Sequence, residues 1–183
     1  MAPRGAHSVA ERTKPNSVSA AAALVGAVLL VVSAFLVWGS LDIKIGTISE
    51  KGTDSAAGVA VIALGIGVAG LLLGWYAGLP RGFVRAGWAL FGVGAIGLGV
   101  YALIQINNAP ADFFSDVSSA IKESGLNDLI GEIGLDANDL SGVASKIVSV
   151  DYGPGVFLAI AGGVATLVAA IVGQGGQDAE AQP

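Results

Sequence analysis

Residues 55–80 read SAAGVAVIALGIGVAGLLLGWYAGLP, 26 positions without one Asp, Glu, Lys or Arg. A helix rises 1.5 Å per residue, so about 20 apolar residues cross the roughly 30 Å of hydrocarbon in a bilayer. The stretch is long enough to span, with a few residues left for the interfaces. Working outward, the same charge-free pattern recurs at 15–41, 86–111 and 152–177, over 27, 26 and 26 residues. The expected fold is an all-α membrane protein, a bundle of four transmembrane helices near 18–39, 56–78, 86–106 and 154–173. Around them the chain divides into a tail at 1–17, a short first outer loop, a second outer segment at 107–153 and a closing tail at 174–183.

The composition agrees. Of 183 residues 54% are hydrophobic, only 13% are charged and 28 are Gly. Soluble domains carry about 25% charged residues. Such values exclude a disordered tail, a disulfide-stapled secreted domain and an ordinary soluble enzyme. Arg4, Arg12 and Lys14 before the first run resemble a signal-peptide n-region. The run from Val18 to Trp38 exceeds a 7–15-residue signal core, however, and no small-x-small cleavage site follows it, so a retained anchor is expected.

Charge sets the expected orientation. Arg4, Arg12 and Lys14 share one side with Arg81 and Arg85, while the other side carries four lysines and eleven acids. The positive-inside rule makes the arginine side cytoplasmic, so both termini are expected inside a multi-pass plasma-membrane protein. Trp38 and Tyr152 at the outer ends, and Trp75, Tyr76 and Trp88 at the inner ends, read as interfacial anchors.

Small residues fill the spans. The spacing Gly70-x-x-x-Gly74-x-x-x-Gly78, the glycines Gly67, Gly92 and Gly99, and the series Ala161, Ala165, Ala169 mark faces where backbones can approach closely. They serve either to close one bundle or to receive another membrane protein. The spans hold no ionisable group, which argues against proton relays and ion-coupled transport. Ser33 and Thr166 lie mid-span and are expected to bond a backbone carbonyl one turn back.

Outside the membrane, Leu41, Ile43 and Ile45 alternate with Asp42 and Lys44, and Gly46 can turn the chain back through Ile48, a hairpin signal. Pro110 is expected to end the third span. Phe113, Phe114, Val117, Ala120 and Ile121 then mark one amphipathic helical face; Leu126, Leu129, Ile130 and Ile133 mark a second, and Leu140, Val143, Ala144 and Ile147 a third. Phe113, Phe114, Val117, Ile121, Leu129 and Ile133 are candidate outer contacts, toward the bundle's own surface or a partner.

Catalytic chemistry finds little support. There is no Cys, hence no thiolate, disulfide or iron–sulfur ligand, and His7 is the sole histidine. Asp136, Asn138 and Asp139 form only a fragment of a calcium loop, without the later Gly and closing Glu. Asp112 and Asp116 are spaced i,i+4, as acids on a solvated helix commonly are. No enzyme activity, cofactor, metal or nucleic-acid partner is expected. The expected partners are membrane lipids and other membrane subunits or further copies of the chain. An accessory or scaffold role is the first expectation, and binding of an apolar molecule such as a lipid or quinone beneath the outer segment is the alternative.

The short first outer loop and helical second one look like the tetraspanin layout, but the Cys-Cys-Gly motif and disulfides of that family are missing, so only the topological analogy is kept. Gly26–Ser40, GAVLLVVSAFLVWGS, resembles the first span of small four-span membrane proteins common in actinobacteria, many named only by a neighbouring tryptophan operon. Those often show Phe-Leu-Pro-Trp where this chain has Phe35, Leu36, Val37 and Trp38. The resemblance implies a plasma-membrane protein and supplies no site residues.

Overall fold

The computed structural model describes residues 17–43, 46–123 and 148–172. Four helices long and apolar enough to cross a membrane are present: α1 (Ser17–Phe35), α2 (Ala56–Tyr76), α3 (Arg81–Glu123, with its membrane-length part at Arg81–Asp112) and α4 (Pro154–Val172). Between them lie β1 (Val37–Ile43), β2 (Gly46–Lys51), a 3-10 turn at Gly52–Asp54 and β3 (Val148–Tyr152). The helices follow one another around a ring, α1 against α2, α2 against α3, α3 against α4 and α4 against α1. A single cluster centred on Ala23, Leu30, Val61, Val68, Trp88, Ala95 and Val156 fills the middle.

Close approach explains why so many spans are small-residue rich. Lipid tails are as apolar as Leu, so helices associate in a bilayer through dispersion contacts and hydrogen bonds, which require backbones to come near. At the α1–α4 crossing, a Cβ on Gly26 would stand 2.9 Å from the Gly162 carbonyl oxygen, and one on Gly162 would stand 3.0 Å from the Gly26 oxygen. Ser19 Oγ donates across the same seam to the Ala169 carbonyl at 2.6 Å. The two mid-span hydroxyls bond back along their own helices as expected, Ser33 to Leu30 O at 2.7 Å and Thr166 to Gly162 O at 2.8 Å.

The expectation of an all-α chain is corrected by a three-stranded antiparallel sheet of order β2-β1-β3. The expected hairpin forms, with Leu41 opposite Ile48 and Asp42 opposite Thr47, but Gly46, expected to turn the chain, already pairs with Ile43 as the first residue of β2, and Lys44 and Ile45 lie outside the described residues. A third strand, Val148–Tyr152, pairs on the other side of β1, with Leu41 opposite Val150. Two strands alone are marginal in water; the third, together with packing on α3, supplies what the pair lacks. Side chains alternate across a sheet, so the row Ile48–Leu41–Val150 shares one face and Ser49–Ser40–Asp151 the other. The apolar row is the one turned toward α3, where it lines a cleft.

Two further expectations change. Pro110 does not end the third helix: α3 runs through it to Glu123, although its membrane-length part closes at Asp112. A mid-helix proline removes one i→i−4 bond, and the helix continues past it through the segment where Phe113, Phe114, Val117, Ala120 and Ile121 keep a helical period. The tryptophans do not sit as interfacial anchors. Trp38, Trp75 and Trp88 are 4%, 8% and 0% exposed. Trp75 and Trp88 meet edge to face at 5.5 Å, and Trp88 Nε1 donates to the Val68 carbonyl at 3.3 Å. Trp38 sits at the irregularity in β1, where the register shifts between Val37 and Gly39. Such a bulge re-aims a side chain; the Trp38 indole is buried and donates to the Ser33 carbonyl at 2.8 Å. Gly52 and Gly155 make room for it, since a Cβ on either would approach Trp38 Nε1 within 2.8 Å. Tyr76 and Tyr152 stay exposed, as the anchor reading requires.

Candidate functional site

Three places combine chemistry or exposure with a defined geometry. The first is a cleft of about 300 Å³ where the sheet leans over the Ala102–Asp112 turns of α3. Leu41, Ile48 and Val150 form its roof, Ala102, Ile106, Ala109 and Asp112 its wall, and Trp38, Ser55 and Ala57 its base. Gly39 lets the sheet come close: a Cβ there would stand 3.0–3.1 Å from three carbons of Ile106. Ser55 caps α2, accepting from the Gly58 amide at 3.2 Å, and so fixes the lower edge. Glu50, Lys51 and Asp112 bring charge to walls that are otherwise mostly apolar. Ile48 remains 56% exposed there. The cleft therefore pairs an apolar surface with charged groups, a lining suited to an amphiphile.

The second is the outward face of α2. Ala56, Ala63, Gly70 and Ala77, at seven-residue intervals from the first residue of the helix to its C-cap, are all exposed. Ile66 and Leu73 stand out between them, at 62% and 69% exposure. Beside this face, Leu24, Val28, Val31 and Val32 of α1 and Gly65, Ile66 and Ala69 of α2 line an apolar groove of about 330 Å³. A seven-residue spacing keeps small residues on one side of a helix that crosses a neighbour at a shallow left-handed angle.

The candidate packing residues divide between the inside and the outside of the bundle. A Cβ on Gly92 would stand 2.7 Å from Leu167 and 2.9 Å from the Gly163 oxygen. On Gly99 it would meet Ile160 at 2.6 Å, and on Gly67 Phe91 at 2.7 Å. Ala169 is wholly buried. Gly74 is covered by the Leu79 side chain. Gly70 has nothing within 4 Å among the described residues and Ala161 is exposed, while Ala165 is half-buried. Gly78 lies past the end of α2 with φ at 106°, a left-handed conformation that glycine adopts without strain. The four-residue spacing of Gly70, Gly74 and Gly78 thus does not make one open stripe; the open face is the seven-residue one. Gly26, Gly65 and Gly162, which pack against neighbouring helices, were not singled out from the sequence, although their small size was the available signal.

Of the candidate outer contacts, Phe113, Phe114, Val117 and Ile121 belong to the part of α3 that follows Pro110. Leu129 and Ile133, the second and third amphipathic faces up to Ile147, and the Asp136–Asp139 fragment lie outside the described residues. Among the described residues no three His, Cys, Asp or Glu side chains converge.

The third place is the Arg81–Arg85 turn of α3. Arg85 Nε is buried and has no hydrogen-bond partner among the described residues.

No family model matches the chain, and no curated protein or solved structure shows significant similarity to it. The structure establishes a class, a multi-pass protein with four helices able to span a membrane.

Proposed function

We propose that this is a non-enzymatic plasma-membrane protein, with both termini cytoplasmic, that acts as an accessory or scaffold subunit of a membrane assembly. The observation that carries the proposal is the α2 face. The bundle buries or covers Gly67, Gly74, Gly92 and Gly99 against its own side chains, yet leaves Ala56, Ala63, Gly70 and Ala77 uncovered beside an apolar groove. A helix from another subunit, or from a second copy, can approach that face closely and gain dispersion contacts that lipid tails do not provide as well. The resemblance of Gly26–Ser40 to small actinobacterial four-span proteins is compatible with this role and adds no partner.

Extraction of native membranes in mild detergent, followed by capture through a C-terminal tag, tests the proposal. The wild type is expected to bring down a stoichiometric membrane partner or a second copy. Gly70→Leu is expected to lose that partner by about tenfold or more while melting within about 0.5 kcal/mol of the wild type, because its side chain enters open space. Equal recovery from both chains would count against the α2 face. A second reading, retention of an apolar or amphiphilic molecule, is favoured by the outer cleft. It is read from the same preparation: a lipid or quinone bound at one per chain, with no protein partner, would favour it over the first.

A further inference from the structure

We propose that the cleft between the sheet and α3 holds an aminophospholipid of the phosphatidylethanolamine class, with its primary ammonium at Glu50 and Asp112 and the upper part of one acyl chain against Ile106 and Ala109. The inference rests on the amphiphile reading of that cleft, names its headgroup, and does not depend on the α2 face. The cleft is graded along α3. Ala102, Ile106 and Ala109 line it within the charge-free run 86–111, and Asp112 is the first charged residue beyond that run. The rise from Ala102 to Asp112 is about 15 Å, half of the roughly 30 Å hydrocarbon thickness. One end of the cleft therefore lies at the depth of acyl chains and the other at that of headgroups.

Glu50 stands two residues after Ile48 on β2, so alternation puts both on the face turned toward α3. Glu50 and Asp112 are exposed, and neither has an ion-pair partner among the described residues. Lys51 is the one cation in the described lining, and alternation gives it to the opposite face of the strand. The mouth of the cleft is thus anionic above apolar walls. An anionic lipid would meet like charge there. A primary ammonium carries three N–H donors and can bond both carboxylates with charge assistance, whereas a choline head has the charge without the donors. A volume of about 300 Å³ is at the small end for a ligand pocket. It admits a headgroup and the start of a single chain, with the rest of the lipid lying along the bundle.

The test uses the full chain purified in detergent, with native mass spectrometry and thermal stability read during titration with phosphatidylethanolamine, phosphatidylcholine or phosphatidylglycerol. The wild type is expected to retain one phosphatidylethanolamine per chain, about tenfold more tightly than either of the others, as befits charge-assisted hydrogen bonds. Added salt is expected to narrow that margin. Asp112→Asn and Glu50→Gln each remove charge from an exposed side chain. Each is expected to keep the lipid-free melting temperature and to bind phosphatidylethanolamine about fivefold more weakly; with both changes the preference over phosphatidylcholine is expected to vanish. Ile48→Lys sets a cation on the exposed wall of the cleft and is expected to abolish retention. Equal binding of phosphatidylethanolamine and phosphatidylcholine, removed in Ile48→Lys, would overturn the headgroup assignment and leave the amphiphile reading standing. A preference for phosphatidylethanolamine unchanged in all the variants would place the lipid elsewhere and overturn the site. A wild-type chain that holds no lipid, alone or as a dimer, would overturn both.

Discussion

Gly162→Leu is expected to keep the bundle from closing. Even the first added carbon would stand 3.0 Å from both the Gly26 carbonyl oxygen and the Leu30 amide nitrogen. These are backbone atoms and cannot swing aside, so α1 and α4 must separate along the seam that Ala23, Ala27, Ala159 and Ala169 fill. Overpacking a tight interior typically costs about 1–3 kcal/mol, and with three further carbons to place, Leu is expected at or above the top of that range. The separated helices lose dispersion contacts that only close packing supplied. Thermal melts in detergent measure the effect: a large fall in melting temperature is expected, with much of the sample aggregated on extraction. Gly97→Leu is the control, since among the described residues nothing lies within 4 Å of its side-chain position. A Gly162→Leu chain that melts like the wild type would refute the α1–α4 seam.

Trp88→Ala is the second large expected effect. The ring is fully buried, packs edge to face on Trp75 and anchors its N–H on the Val68 carbonyl. In a bilayer the unfolded reference is still apolar, so much of the usual transfer penalty is absent and the void dominates. A residual cavity of about 100 Å³ at about 24 cal/mol per Å³ corresponds to about 2–3 kcal/mol. Trp88→Phe refills most of the space and loses only the weak hydrogen bond, for an expected cost of about 1 kcal/mol. Melts followed by circular dichroism are expected to order the three chains wild type, Phe, Ala. Had Trp88 been a headgroup anchor, its replacement by Ala would leave the melting temperature nearly unchanged.

What the sequence made legible followed from physics that acts locally. The absence of charge over 55–80 and its three counterparts reports directly on burial in hydrocarbon, and four matching helices are there. Ser33 and Thr166 had one cheap way to satisfy a hydroxyl in a span, and they take it. The hairpin at Leu41–Ile48 carried its own alternation. The misses involve partners far apart in the chain. Val148, Val150 and Tyr152 alternate as clearly as Leu41 and Ile43, but such a strand is recognisable only once β1 offers an edge about 110 residues earlier. Aromatic residues near span ends are ambiguous between anchor and core. Trp38 is decided by a bulge and by Gly52 and Gly155, and neither is visible as a local pattern. Pro110 followed the average behaviour of proline poorly because helix-forming sequence continues on both sides of it. Which small-residue face stays open was also beyond periodicity, since Leu79, outside α2, is what covers Gly74.

The central claim is that one helix face of a self-contained bundle is left open for another protein. Because the chain has no Cys, single-cysteine variants are clean probes. Gly70→Cys and Gly97→Cys both place a thiol in open space, one on the α2 face and one on α3. Each is labelled with a benzophenone maleimide and irradiated in native membranes. A discrete cross-linked protein from Gly70→Cys, with only lipid adducts from Gly97→Cys, is the predicted result. Lipid adducts alone from both positions, or the same protein band from both, would contradict it.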